Sequence, residues 1–179
     1  LGALLPLLGE ERRYAVHYHV GTARPIENNR NQICQKFLRS SCTHLLMIDD
    51  DNPPITNPLD LVALDLDVIG CPTPTSRRSV VAWNVYANEH GTYRSLPGGN
   101  GLQEVEAVGT GCILIARRVI ARLRRSPPFQ AIYDDYGILQ VGNDLNFSRK
   151  ARAAGFKVWA HWDYPCRHIS EVDLYELER

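Results

Sequence analysis

A helical stripe followed by a short apolar run marks the first third of the chain. Residues 25–39 are predicted to form a helix, because Pro25 suits a first helical turn and apolar positions recur at helical spacing. One face of this helix carries Ile26, Arg30, Ile33 and Phe37, which are spaced by four, three and four residues. The apolar run His44–Ile48 then predicts a buried strand, which a proline pair ends. Arg30 therefore lies among core-facing positions and needs an anionic partner, either in a structural salt bridge or on a phosphate or nucleotide.

The rest of the chain alternates short apolar runs with helical segments. Strands are predicted for residues 14–20, 66–71, 103–107, 112–116 (or the start of a helix) and 156–162, and a hairpin for residues 80–87 and 91–96. Helices are predicted after Asn57 as a cap, for residues 117–125, for residues 144–154 with Asn143 as the cap, and for the acidic tail 171–179. Because short strands alternate with helices, the sequence predicts the α/β class with a mixed sheet, in a single domain of residues 1–179.

Composition narrows the class of protein only a little. The apolar fraction of 44% and the charged fraction of 22% are ordinary for a globular domain. Twenty Lys and Arg balance 20 Asp and Glu, so the net charge gives no reason to expect a nucleic-acid partner. The five cysteines show no CxxC spacing, which predicts reduced thiols and a cytoplasmic protein. No apolar run has the length of a transmembrane span.

The triplet Asp49-Asp50-Asp51 follows the predicted strand directly and is the strongest candidate for chemistry. Three adjacent carboxylates repel one another unless a cation lies between them. Strand alternation places Asp49 and Asp51 on one side and Asp50 on the other. Such a pair suits a divalent metal with hard oxygen ligands and coordination positions left for a phosphate. The alternative is a solvated acidic turn.

The order of several short motifs resembles a GT-A-type glycosyltransferase of the broad family-2 kind. The resemblance runs from about Arg30 to His168. It is carried by Arg30-Asn31, residues 45–51, residues 67–70, residues 109–112, residues 142–147, residues 155–158 and His168. It implies a Rossmann-like three-layer α/β/α fold with a mixed central sheet. It also implies a nucleotide-sugar donor, such as a UDP- or GDP-sugar, and a divalent cation, Mn²⁺ or Mg²⁺.

The resemblance also implies a metal and nucleotide site. Asp49 and Asp51 match the two acids of the Asp-x-Asp motif, in which Asp51 coordinates the metal and Asp49 acts through the metal or the ribose. Asp50 is then a ribose contact. His168 looks like the late histidine that completes the metal site, although by itself it is equally compatible with a surface histidine. Arg30 and its neighbour Asn31 correspond to donor-binding positions.

Two further motifs belong to the acceptor side of the same resemblance. Asp144 holds the place of the general base that removes a proton from the acceptor hydroxyl in inverting relatives. The residue before it is Asn143 where relatives carry Glu, and the pair is also compatible with simple helix capping. The low bulk of Gly109-Thr110-Gly111 would let a sugar approach the backbone, or it forms a tight turn before a packed strand.

The function expected from these residues is metal-dependent transfer of a sugar from a nucleotide sugar to an acceptor hydroxyl, with inversion at the anomeric carbon. The acceptor is open: a glycan, a lipid, a protein or a small molecule. The alternatives are a nucleotidyltransferase or another phosphoryl-transfer enzyme that uses the same carboxylates, and a non-catalytic sugar-nucleotide-binding domain. An oligomer is compatible with all of these. Residues 1–8 look like the end of a first helix, so we expect a further strand of a longer protein to precede Leu1.

Overall fold

The computed structural model describes residues 11–77 and 80–170, and it shows an α/β fold with a mixed sheet. The helices are α1 (Ile26–Arg39), a 3₁₀ helix (Pro58–Leu64), α2 (Arg117–Leu123) and α3 (Asn143–Ala153). The strands are β1 (His44–Ile48), β2 (Val68–Gly70), β3 (Pro74–Arg77), β4 (Val80–Trp83), β5 (Val85–Glu89), β6 (Thr92–Ser95), β7 (Leu102–Glu104), β8 (Ala107–Val108), β9 (Cys112–Ala116), β10 (Ile132–Tyr133), β11 (Leu139–Val141) and β12 (Val158–His161).

The main sheet has five strands in the order β1-β9-β2-β12-β7. Strand β9 is antiparallel to both β1 and β2, whereas β2 and β12 are parallel and β7 is antiparallel to β12. Strands β1, β2 and β12 therefore run in one direction. Their carboxyl ends and the start of β9 meet at the same edge of the sheet, which confirms the predicted mixed arrangement.

Both faces of this sheet are covered, as the alternation along β9 shows. Ile113 and Ile115 face one core cluster, while Cys112 and Leu114 face another. The first cluster includes residues of all three α-helices, among them Phe37, Val119, Ile120, Phe147 and Ala151. The second includes Leu61 of the 3₁₀ helix together with Ile69, Cys71 and Cys166. The unbroken burial of β9 explains why its sequence is a continuous apolar run.

The smaller sheets divide the segment that was predicted as one hairpin. Strands β5 and β6 do form a hairpin, with a turn at His90 and Gly91, both of which have positive φ angles. The predicted first strand is split at Asn84, whose N–H donates to the carbonyl of Thr73 next to β3 and whose carbonyl accepts from the N–H of Gly109 next to β8. As a result β4 pairs with β3, and β5 pairs with both β6 and β8.

Three other predictions are corrected or lie outside the description. Residues 14–20 form no strand, and Val16, Tyr18 and Val20 are exposed. Loose alternation was not sufficient there, because no strand among the described residues pairs with the segment. Residues 129–140 were assigned no strand or helix from the sequence, but Ile132–Tyr133 and Leu139–Val141 form the β10–β11 pair. Residues 1–8 and the tail 171–179 fall outside the described residues.

The predicted cap at Asn57 is confirmed, although the helix it starts is a 3₁₀ helix: the Asn57 side chain accepts a hydrogen bond from the Leu59 N–H at 3.1 Å.

A membrane-crossing helix is not found within residues 11–77 and 80–170, since none of the helices there combines the required length and apolarity.

Candidate functional site

The candidate site lies at the sheet edge where β1 ends and β9 begins. The N–H of Asp49 donates to the carbonyl of Gly111 at 2.7 Å, and the N–H of Cys71 donates to the carbonyl of Cys112 at 2.9 Å. These bonds continue the sheet beyond β1 and β2 by one residue each. They bring the acidic triplet and the Gly109-Thr110-Gly111 segment side by side, although the two lie far apart in the sequence.

The acidic triplet forms a turn, so the strand geometry predicted for it is wrong. Strand β1 ends at Ile48, and the N–H of Asn52 donates to the carbonyl of Asp49 at 3.1 Å. Residues 50 and 51 lie inside this turn, and strand alternation does not apply to them. The side chains of Asp49 and Asp51 remain 33% and 48% exposed. Both carboxylates are thus accessible from solvent at the edge of the sheet.

Asp51 and His168 come together as the sequence predicted. Asp51 Oδ2 lies 3.4 Å from His168 Nε2. The segment around His168 pairs with the backbone beyond the triplet: the N–H of Arg167 donates to the carbonyl of Pro53 at 3.0 Å, and the N–H of Ile169 donates to the carbonyl of Asp51 at 2.8 Å. His168 is therefore placed by backbone hydrogen bonds on both of its sides.

The pair has the chemistry of a divalent metal site. His168 Nδ1 lies 2.9 Å from the carbonyl of Pro74, which selects the tautomer with the proton on Nδ1. That hydrogen bond orients the ring so that Nε2 faces Asp51, the arrangement that metal-binding histidines commonly show. His168 is 37% exposed, so the site is open on one side. A carboxylate oxygen, an imidazole nitrogen and open positions fit Mn²⁺ better than Mg²⁺, which prefers oxygen ligands.

Arg30 connects the triplet to helix α3. Its Nη2 donates to Asp49 Oδ2 at 2.8 Å, and its Nη1 donates to Asn143 Oδ1 at 2.7 Å. Arg30 is buried, with 7% of its surface exposed. Burial raises the pKa of Asp49, Arg30 lowers it in part, and the neighbouring Asp51 raises it further, so the pKa of Asp49 stays above its ordinary value. Of the two alternatives stated for Arg30, the structure contains the salt bridge; the contact with a phosphate or nucleotide stays a prediction.

Asp144 lies at the first turn of α3, next to this bridge. Its Oδ1 accepts a hydrogen bond from the Leu145 N–H at 2.8 Å. Asn143 is not the helix cap, which corrects the prediction. Gly142 takes the cap position, and the Asn143 side chain is engaged by Arg30. Asp144 is thus linked to the triplet through Asn143, Arg30 and Asp49.

Asn31 holds a loop in place. Its Nδ2 donates to the carbonyl of Phe129 at 2.7 Å, and its Oδ1 accepts from the Phe129 N–H at 3.0 Å. On α3, Asn146 Nδ2 donates to the carbonyl of Gln130 at 2.6 Å. The amide nitrogen and the amide oxygen of Asn31 are therefore both hydrogen-bonded to backbone, which gives Asn31 a structural role at this loop.

Gly109 and Gly111 leave space that two asparagine side chains occupy. A Cβ on Gly111 would collide with Asn52 Oδ1, and a Cβ on Gly109 would lie 2.5 Å from Asn84 Nδ2. Thr110 between them is buried. The structure thus accounts for this segment by packing. Asn52 was not predicted as part of the site; within the described residues its buried Nδ2 has no hydrogen-bond partner.

Comparison with known proteins shows a fold but no family. No protein-family model matches the chain, and no curated protein sequence matches it significantly. The crystal structure of A197 from STIV is similar, with a TM-score of 0.62 and 18% sequence identity over 85% of this chain and 71% of that chain. The two proteins share a fold at a level of identity that says nothing about a shared activity.

Proposed function

We propose that this chain is a metal-dependent glycosyltransferase of the GT-A type, which transfers a sugar from a nucleotide-diphosphate sugar to an acceptor hydroxyl. The observation that carries the proposal is the 3.4 Å approach of Asp51 Oδ2 to His168 Nε2 at the open edge of the sheet. Two further features are consistent with a three-layer α/β/α arrangement: packed residues on both faces of the sheet, and a mixed strand order. Ligand binding at the carboxyl ends of strands is the general rule for open α/β sheets.

The residues divide into a donor side and an acceptor side. Asp51 and His168 would hold the divalent cation, which supplies charge neutralisation for a departing diphosphate. Arg30 holds Asp49 in place through the hydrogen bond from its Nη2 to Asp49 Oδ2. On the acceptor side Asp144 accepts the hydroxyl proton as that oxygen attacks the anomeric carbon. The bridge from Asn143 through Arg30 to Asp49 fixes the distance between the two sides.

The test is a panel of UDP- and GDP-sugars incubated with the protein, with and without Mn²⁺, and read by released nucleoside diphosphate. Turnover that needs Mn²⁺ and is lost in Asp51→Asn and His168→Ala supports the proposal. Asp135→Asn and His17→Ala remove an exposed carboxylate and an exposed histidine elsewhere and serve as matched controls.

Two further measurements distinguish the other two functions. A nucleotidyltransferase forms pyrophosphate from a nucleoside triphosphate and a sugar phosphate, and it leaves nucleotide sugars intact. A binding module shows a dissociation constant for one nucleotide sugar but no turnover. Either result, obtained with folded wild-type protein, contradicts the transferase.

A further inference from the structure

Three buried cysteines form a cluster behind the candidate site. The sulfur atoms of Cys71, Cys112 and Cys166 all lie within 4.8 Å of one another. Each residue is at most 2% exposed, and all five cysteines of the chain are free thiols. Cys71 follows β2, Cys112 begins β9, and Cys166 belongs to the segment that carries His168. Three distant parts of the sequence thus present their sulfur atoms to one point.

The spacing of these sulfur atoms matches a metal centre. Three sulfur atoms around one ion, with metal–sulfur bonds of about 2.3 Å, lie about 4 Å apart. The observed upper limit of 4.8 Å requires only a small contraction. The backbone around the cluster is already fixed, because the N–H of Cys71 donates to the Cys112 carbonyl and the N–H of Cys166 donates to the Pro72 carbonyl, both at 2.9 Å. The ligands are therefore held in position before an ion binds.

We propose that Cys71, Cys112 and Cys166 form a thiolate site for a soft divalent metal ion of the Zn²⁺ class. Thiolate sulfur selects thiophilic ions such as Zn²⁺ and Cu⁺ over the hard cations that oxygen ligands prefer. Three thiolates leave one net negative charge with a divalent ion and two with a monovalent ion, and burial makes the second charge costly. Zn²⁺ sites in proteins are almost always four-coordinate, so one oxygen or nitrogen ligand would complete the shell that the three thiolates begin. Binding releases the thiol protons to solvent.

The site differs from the proposed Mn²⁺ site in ligands and in purpose. Cys166 lies two residues before His168, and its segment is joined to the triplet segment by a β-bridge between Pro54 and Cys166. An ion at the thiol cluster ties this segment to the ends of β2 and β9. Its role is structural, so binding does not depend on whether the chain transfers sugars.

The test is titration of the reduced, metal-free wild-type protein with Cd²⁺ and with Zn²⁺. We expect one Cd²⁺ per chain with a sulfur-to-metal charge-transfer band, which carboxylate and imidazole ligands do not give. Zn²⁺ should displace Cd²⁺ and raise the melting temperature. Cys71→Ser, Cys112→Ser and Cys166→Ser should each lose the band. Cys34→Ser is the matched control, because Cys34 is equally buried but stands apart from the cluster, and burial raises its pKa to about 12.

A measurement on unmodified protein covers the case in which a serine variant fails to fold. X-ray absorption of the Zn²⁺-loaded wild-type protein should report three sulfur ligands and one oxygen or nitrogen ligand. The proposal is overturned by the absence of stoichiometric Cd²⁺ binding to reduced protein, or by a Zn²⁺ coordination shell without sulfur. Stoichiometric binding of Cu⁺ with no binding of Zn²⁺ or Cd²⁺ overturns the divalent assignment. A disulfide between two of the three cysteines in protein kept under reducing conditions also contradicts it.

Discussion

Arg30 Nη2 donates to Asp49 Oδ2 over 2.8 Å, which places a buried guanidinium directly behind the first carboxylate of the acidic triplet. The bond joins the helix that the hydrophobic stripe predicted to the turn that follows β1. Arg30 is 9% exposed and Asp49 33% exposed in their side chains, so the pair is only partly screened by solvent. It fixes one side of the candidate site from within the fold.

Removal of Arg30 should destabilise the fold. Arg30→Met keeps the apolar length of the side chain but leaves Asp49 and Asn143 without their shared donor. We expect a loss of about 2 to 3 kcal/mol in urea unfolding, below the range for fully buried pairs because Asp49 is partly exposed. Arg94→Met breaks the exposed pair with Glu89 and should cost less than about 1 kcal/mol. Equal losses in the two variants would contradict the special role of Arg30.

Asp49 should make stability depend on pH. Burial holds the pKa of Asp49 above its ordinary value of 3.8 in spite of Arg30. At a pH between the ordinary pKa and the raised pKa of Asp49, the folded chain binds more protons than the unfolded chain. The free energy of unfolding therefore falls as pH rises through this range. Asp49→Asn lacks this titration. The difference in melting temperature, variant minus wild type, should therefore rise between about pH 3 and pH 7, measured with a chelator present.

Asp65 provides a control of opposite sign. Its hydrogen bond from Arg118 holds the pKa of Asp65 below the ordinary value. The stability that this bond contributes is fully present above pH 3.8, the ordinary pKa, and it is lost as the pH falls through the lowered pKa of Asp65. Asp65→Asn should therefore lose melting temperature relative to wild type as pH rises. The same trend in both variants would refute the assignment at Asp49.

Mn²⁺ should stabilise the protein through Asp51 and His168. An ion that binds only the folded state at a hundredfold excess over its dissociation constant contributes about 2.7 kcal/mol. The rise in melting temperature should vanish with a chelator and in both Asp51→Asn and His168→Ala. Asp50→Asn should retain the rise in melting temperature, because the resemblance assigns Asp50 to the ribose and not to the metal. A full Mn²⁺ response in His168→Ala would remove His168 from the site.

Gly111→Ala should destabilise the site through Asn52. The added Cβ occupies the position of Asn52 Oδ1, so the amide must move or the turn must shift. We expect a loss of about 1 to 3 kcal/mol in chemical unfolding. The double variant Gly111→Ala, Asn52→Ala removes the obstruction and should recover most of it. If the loss of stability in the double variant equals the sum of the losses in the two single variants, contact with Asn52 is not the reason for a glycine at position 111.

Local patterns predicted the helices and the buried strands, and the family resemblance predicted that the triplet and His168 lie together. The details between these parts were predicted less well. In the predicted stripe Arg30 and Phe37 are buried, whereas Ile26 at the start of the helix is exposed; the run Cys112–Ala116 is buried throughout. The turn at the triplet was given only as the alternative interpretation, because Asn52, whose N–H closes it, carries no distinguishing pattern. The thiol cluster was invisible because Cys71, Cys112 and Cys166 meet only through the strand order.

Asp144 provides the sharpest test of the proposed chemistry. Asp144→Asn keeps the size of the side chain and removes its capacity to take a proton. If Asp144 is the base, kcat with the acceptor should fall by about a hundredfold to ten-thousandfold, while the dissociation constant for the donor stays unchanged. Asn146→Ala, on the same helix, releases the loop at Gln130 and should act through stability instead. A variant Asp144→Asn with wild-type kcat means that Asp144 only accepts the Leu145 N–H in the first turn of α3, and another group accepts the proton.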